Sequence, residues 1–262
     1  MNTSIILRSL LLATGCLLAL APRAHAQTDQ INLDAGLPTR LEDAYPTAYG
    51  NREFQLPVRY QRSRQGDNLV QYTPTLEFGP LRNTQLAVAV PLYSGNGDRA
   101  GSGNVQVSGL YNFNTEGKYL PAVALAGSLT LPTGLRSEGT DYNGRFILTK
   151  SLFHSLNRLH LNVAYFHNSQ PGVQAEGGQL KEERLDRYAL LVGYSTRIAP
   201  QSSLVVDFVR EQRRFRGEMG SSLEAGIRRQ MNPRLVLSLG ASAGLGTDAD
   251  KFTATLGFQH AF

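Results

Sequence analysis

The chain has 262 residues, a formal net charge of +5, 41% hydrophobic residues, 26 glycines, one cysteine and no tryptophan. So mild a basic excess points to no nucleic-acid partner, and a single cysteine excludes internal disulfides and multi-thiolate metal sites. No run of eighteen apolar residues follows Ala26, so no transmembrane helix is predicted.

Met1 to Ala26 reads as a secretory signal peptide. Arg8 supplies positive charge, Leu10 to Ala21 an apolar core, and Ala24-His25-Ala26 the small-residue cleavage pattern. Cys16 sits inside the apolar run rather than after it, which argues against lipidation, and cleavage leaves a chain without cysteine. Residues 27–51 carry Pro38, Pro46, Gly50 and scattered charge without a period. They are expected to form a pre-barrel segment, either periplasmic or folded into a lumen.

From residue 52 onward the pattern alternates with a period of two, the signature of strands. Phe54, Leu56, Val58 and Tyr60 share one face of the first strand, and Val70, Tyr72, Leu76 and Phe78 one face of the second, which Gly79-Pro80 is expected to end. Leu86, Val88, Val90 and Leu92 mark the third, and Val105, Val107, Tyr111 and Phe113 the fourth. The fifth alternates Val123, Leu125, Leu129 and Leu131 with Ala122, Ala124, Ala126, Ser128 and Thr130. In the sixth, around Arg145 to Leu152, Lys150 takes the phase of Phe146 and Leu148, which implies a bulge or a lysine reaching the headgroups. Leu159, Leu161, Val163 and Tyr165 define the seventh strand, and Tyr188, Leu190, Val192 and Tyr194 the eighth, across a polar loop at 168–186. Strands nine to eleven centre on Leu204-Val206-Phe208, Leu223-Ala225-Ile227 and Leu235-Leu237-Leu239. The twelfth runs to Phe262, with Phe252, Ala254, Leu256, Phe258 and His260 on one face.

Twelve such strands, with connections that alternate between short turns and longer polar loops, predict an all-β fold. The fold class is a transmembrane antiparallel up-and-down β-barrel over residues 52–262 in the outer membrane of a Gram-negative bacterium, with both termini periplasmic. A soluble sandwich offers no reason for that alternation. Outer-membrane lipid, lipopolysaccharide and the barrel-assembly machinery are the implied partners, with Phe258, His260 and Phe262 as the assembly signal.

The corner Leu129-Thr130-Leu131-Pro132-Thr133-Gly134, approached through Pro121 to Ser128, resembles the MetA-pathway of phenol degradation family of outer-membrane barrels. The likeness continues in pattern through Leu223 to Ile227, Asn232 to Leu235 and Thr255 to Phe262. That family tends to carry an aromatic residue where His260 stands. The resemblance implies a transporter-like barrel that passes small hydrophobic or aromatic compounds, and it supplies no catalytic residues.

No nucleotide, cofactor or metal motif appears, so no cofactor is expected. His160 beside an inward serine and Asp207 would suit a barrel-borne lipid hydrolase, but one polar lumen residue among many is the better reading. His160 and His167 lie too far apart along a strand, more than ~20 Å, to share a metal. The inward charges Glu53, Arg59, Glu77, Arg145, Arg187, Asp207, Glu211, Glu224 and Arg228 are the lumen-lining candidates, paired across the barrel or bordering a narrow path. Arg210, Arg213, Arg214 and Arg216 form a basic cluster assigned to the outer mouth, where they meet lipopolysaccharide phosphates, attract anions or are simply solvated. The function expected is a non-enzymatic channel for passive uptake or efflux of a small apolar solute. The alternative is a structural or surface-interaction barrel with a filled lumen.

Overall fold

The computed structural model describes residues 30–96, 100–134, 139–152, 156–176 and 179–262, so the predicted signal peptide lies outside the described residues. The strands are β1 (Arg52–Arg62), β2 (Asn68–Tyr72), β3 (Thr75–Leu81), β4 (Thr84–Ala89), β5 (Leu92–Gly95), β6 (Gly101–Ser102), β7 (Gln106–Asn112), β8 (Ala122–Thr130) and β9 (Asp141–Leu152). They continue with β10 (Asn157–His167), β11 (Val173–Glu176), β12 (Gln179–Glu182), β13 (Asp186–Ala199), β14 (Ser202–Gln212), β15 (Met219–Asn232), β16 (Leu235–Leu245) and β17 (Phe252–Ala261). The pairs β2/β3, β4/β5 and β6/β7 are each two halves of one stave, so the wall is a closed antiparallel barrel of twelve staves. β11 and β12 form a separate hairpin within the 168–186 connection, where a plain loop was expected.

Closure comes from β1 and β17, paired from Glu53↔Ala261 to Arg62↔Phe252. It removes both sheet edges, which a bilayer would otherwise leave without hydrogen-bond partners. The alternation seen in the sequence becomes an inside-out distribution of polarity. In β17 the outward Leu256 is 60% exposed, while the inward Thr253, Thr255 and Gln259 are 3%, 7% and 5% exposed. Outward leucines and valines such as Leu125, Val163, Val192 and Leu239 are likewise exposed, and they form the lipid-facing belt.

Aromatic side chains edge this belt. Near the ends of β9, β10 and β13 that meet the long loops, Tyr165 lies 6.2 Å from Tyr142 and 5.3 Å from Tyr188, and His167 stacks on Tyr142 at 4.5 Å. Near the opposite end, Tyr111 and Phe113 meet edge to face at 5.0 Å, and Phe258 and His260 lie nearly parallel at 6.3 Å. Amphipathic rings suit both headgroup boundaries.

Prolines set the irregularities. Pro57, Pro74 and Pro91 lie on neighbouring staves, and their carbonyls accept bonds from Thr73 N at 3.0 Å, Val90 N at 3.1 Å and Gly103 N at 2.7 Å. Each lacks an N–H for the ladder, which breaks the second and third staves where they fall. Pro80 acts differently. The expected Gly79-Pro80 turn is instead a bulge between Phe78 and Leu81, and the chain reverses at Arg82-Asn83, with Asn83 left-handed at φ 63°. Gly79 turns its backbone to the preceding segment, accepting from Gly50 N at 2.8 Å and donating to Asn51 O at 3.1 Å.

Lys150 needs no bulge, because the β9–β10 register runs unbroken from Tyr142↔His167 to Leu152↔Asn157. Its Nζ reaches Glu116 Oε1 at 2.6 Å and the Gly117 carbonyl at 2.9 Å, at the turn joining β7 and β8. The Leu131-Pro132-Thr133-Gly134 corner docks on the β6–β7 junction, where Thr133 Oγ1 accepts from Val105 N at 2.8 Å and Gly134 N donates to Asn104 Oδ1 at 3.0 Å.

Leu239 sits mid-strand in the apolar belt and is 60% exposed. Leu239→Arg is expected to destabilise the folded barrel by about 2–4 kcal/mol in lipid vesicles, read by reversible denaturant titration. Leu180→Arg, in the exposed hairpin, should change stability far less.

Candidate functional site

The inside of the barrel is shaped by residues 33–47, which lie within it, while Tyr49 at the end of the segment is exposed. Two tight bonds, Leu37 N to Asp34 O at 2.9 Å and Gly36 N to Thr39 O at 2.7 Å, fold Asp34 to Thr39 into a compact turn, with Gly36 at φ 96°. Leu33 and Leu41 then pack against the inward Ala164, Ala189, Leu191, Val205 and Val209, and Ala44 against Leu110, Ala122, Ala124 and Ile147. Two inward glycines accommodate the turn: a Cβ at Gly226 would come within 2.5 Å of Pro38 Cγ, and one at Gly240 would strike the Pro38 carbonyl.

Polar bonds fasten the segment along its length. Arg40 donates to Glu224 from its backbone N at 3.0 Å and from Nε at 2.8 Å, to Glu211 from Nη1 at 2.8 Å, and to Ser222 from Nη2 at 2.7 Å. Glu42 pairs with Arg145 at 3.0 Å, while Asn162 donates to the Glu42 carbonyl at 2.8 Å and accepts from its N–H at 2.9 Å. Asp43 accepts from Leu33 N, Tyr45 N and Arg158 Nη1 at 3.2, 3.0 and 3.4 Å. Arg228, fully buried, donates to the Leu37 carbonyl at 2.8 Å and to Gln259 Oε1 at 2.6 Å.

The far end is held from outside the strands. Tyr45 lies under the Arg158 guanidinium at 4.9 Å, and its hydroxyl donates to Glu116 Oε2 at 2.8 Å. Glu116 also receives Lys150 Nζ and the N–H and hydroxyl of Ser151. Partial burial opposes ionisation of this carboxyl, but the bonds from Lys150, Ser151 and Tyr45 outweigh it and hold the pKa at about 2.

Of the lumen-lining candidates, Arg145, Glu211, Glu224 and Arg228 are the wall's attachment points for this segment. Asp207 is buried beside Thr39 and Leu41. Glu53 and Glu77 face one another across β1 and β3, Glu53 accepting from Gln259, and Glu77 from Gln55 and Thr47. Arg187 lies over the Phe166 ring at 5.4 Å. Arg59 borders open space within the lumen.

The arginines expected at the outer mouth are mostly spoken for. Arg213 pairs with Glu211 and Asp250, Arg214 with Glu183, and Arg216 with Glu182, while Arg210 donates to Ser221. His160 contacts Thr149 at 3.2 Å and Ser195 at 2.9 Å, fully enclosed, and Gly193 separates it from Asp207 in the ladder, so these residues do not form a triad. No group able to hold a metal ion occurs among the described residues.

A cavity of about 340 Å³ opens between residues 34–42 and the wall, mostly that of β1–β9, with Phe166, Glu224, Ser242 and Thr253 also bordering it. Amides and hydroxyls line it, among them Gln55, Gln71, Thr73, Gln106 and Asn143, together with Ala87, Ala89, Leu110, Ala126 and Phe166. A smaller space of about 150 Å³ lies next to it, and both are bordered by Arg40, Arg59, Ser242 and Thr253.

No protein-family model and no curated protein matches the sequence. Solved structures do. The COG4313 outer membrane channel from Pseudomonas putida F1 superposes with a TM-score of 0.65 at 12% identity, over 88% of this chain and 100% of that one. The fold is that of Gram-negative outer-membrane channels. The NanC porin, with a TM-score of 0.59 at 10% identity, aligns over 79% of this chain and 98% of its own. The KdgM porin, with 0.56 at 8%, aligns over 80% and 99%.

Sequence reading missed the inner partners Arg40, Glu42, Asp43 and Tyr45. Their signal was present in the mixed charges of residues 34–43, complementary to the inward charges of the wall, and in the double-sided apolar runs Leu190-Leu191-Val192 and Leu204-Val205-Val206.

Glu116→Gln removes the charge that gathers Lys150, Ser151 and Tyr45 and is expected to cost roughly 1–3 kcal/mol at neutral pH. Because the folded carboxyl titrates below its ordinary value of 4.5, its contribution is complete above that pH and is lost as pH falls toward about 2. The difference in unfolding temperature between wild type and variant should therefore shrink over that window.

Proposed function

We propose that this protein is a passive outer-membrane channel that lets small molecules, apolar or aromatic ones among them, diffuse down their gradient. The observation that carries the reading is the cavity beside residues 34–42. It is a lumen only partly filled, within a size class of barrel between packed and open ones. Its alanines, Leu110 and Phe166 accept a compact apolar body, and its amides and hydroxyls orient polar substituents. The corner at Pro132-Thr133-Gly134 supports placing the chain beside the MetA-pathway of phenol degradation barrels. The exposed belt and its aromatic edges support lipid and lipopolysaccharide as surroundings, with the terminal Phe258, His260 and Phe262 read as the signal for the assembly machinery.

A second reading, a barrel whose lumen is filled for good and whose loops act at the surface, is favoured by the many bonds holding residues 30–51. Conductance in planar bilayers separates the two. The folded wild type is expected to give small discrete steps. Arg40→Ala, which strips Glu224 of its cation, should enlarge them several-fold by loosening the inner segment. Silence from both proteins, with folding verified by heat-modifiable migration, rejects the channel in favour of the filled barrel.

A further inference from the structure

We propose that Arg59 is a solute-binding residue and that the solute class is a small organic carboxylate with a compact apolar body. This deepens the channel reading and rests on it. The carboxylates bordering the two cavities are already engaged. Glu42 is taken by Arg145, Glu224 by Arg40, Glu211 by Arg40 and Arg213, and Asp250 by Arg213. Asp34 accepts from Gln259 at 3.1 Å and lies 4.0 Å from Arg228, and Glu77 accepts from Gln55 and Thr47. Arg59 is bonded to none of these carboxylates, although Glu224, Asp250 and Glu211 act on it through space. Its ladder neighbours are Gln71 and Thr255, both uncharged, and no ion pair involving it occurs among the described residues. Its Nε is buried without an acceptor.

Arg59 is half-buried, and a guanidinium N–H taken from water without an acceptor carries a cost that a planar carboxylate regains through two parallel N–H···O bonds. The position suits the task, since Arg59 borders both cavities and a solute passing from one to the other meets it. The low-dielectric wall sharpens the attraction. The rest of the larger cavity selects for the other end of the molecule, because Pro57, Ala87, Ala89, Ala126 and Phe166 offer small apolar surfaces and no further unpaired cation. A bare mineral anion would leave those surfaces uncovered.

The test is equilibrium dialysis of labelled benzoate against the full-length mature barrel folded in detergent at low salt, with benzamide and inorganic phosphate as comparison probes. Benzoate is expected to bind at least tenfold more tightly than either. Arg59→Gln should erase that preference while leaving benzamide binding unchanged, and Arg59→Lys should restore part of it. Equal binding of benzoate and benzamide, phosphate binding as tight as benzoate, or an undiminished benzoate affinity in Arg59→Gln overturns the assignment. Binding is read without conduction, so a conducting barrel indifferent to benzoate rejects the role of Arg59 alone. A silent barrel that still binds benzoate rejects the channel reading and leaves the site standing.

Discussion

The ladder between β1 and β17 is the constraint on which the rest of the molecule depends. A bilayer offers no water to an open strand edge, and ten residue pairs from Glu53↔Ala261 to Arg62↔Phe252 satisfy both edges at once. Closure then divides every stave into an outward face that must suit hydrocarbon and an inward face that cannot reach it. Polar residues such as Thr253, Thr255 and Gln259 are buried, and leucines such as Leu256 are exposed, because the usual core has been turned inside out.

An enclosed polar wall creates its own difficulty. Inward charges sit where water is scarce, and each needs a counter-charge or several hydrogen bonds. Residues 30–51 supply several of them. Arg40 answers Glu211 and Glu224, Glu42 answers Arg145, and Asp43 answers Arg158. Apolar side chains of the same segment meet the inward apolar patches of β8, β9, β13 and β14, so charge and shape are matched by one stretch of chain. Segment and wall are therefore parts of one packing unit, and Glu116 extends it to the turn below through Tyr45.

The barrel was legible in the sequence because a period of two survives in almost every stave, and because the lipid-facing residues are large and apolar. Lys150 shows the limit of that signal. Its phase was correct, but the reason lay in Glu116, thirty-four positions away, and no local pattern announces such a partner. Gly79-Pro80 misleads for a related reason: the dipeptide is a turn signal in isolation, yet here the backbone of residues 50 and 51 occupies Gly79 and a bulge absorbs the proline. The pre-barrel segment has no period to read, since its conformation is dictated by the cavity it occupies. Inward charges could be named singly but not paired, because pairing depends on which staves the segment touches.

The asymmetry of the interior follows from the same packing. Residues 34–41 lie against the β13–β17 side, where Gly226 and Gly240 allow close approach to Pro38, and residues 42–47 then cross to β3–β10. Apart from Arg145, which takes Glu42, the β1–β9 wall around the larger cavity carries mostly amides, hydroxyls and alanines, which need no ionic partner. A filling that is charge-matched to one side leaves open space on the other. Arg59 belongs to that open side, and it departs from the rule that governs its surroundings. Every other cationic residue bordering the two cavities is bonded to a carboxylate of the protein. A half-buried guanidinium with one N–H left without an acceptor is an expense in stability, and among neighbours so thoroughly paired a carboxylate arriving from outside the chain would supply the missing bonds.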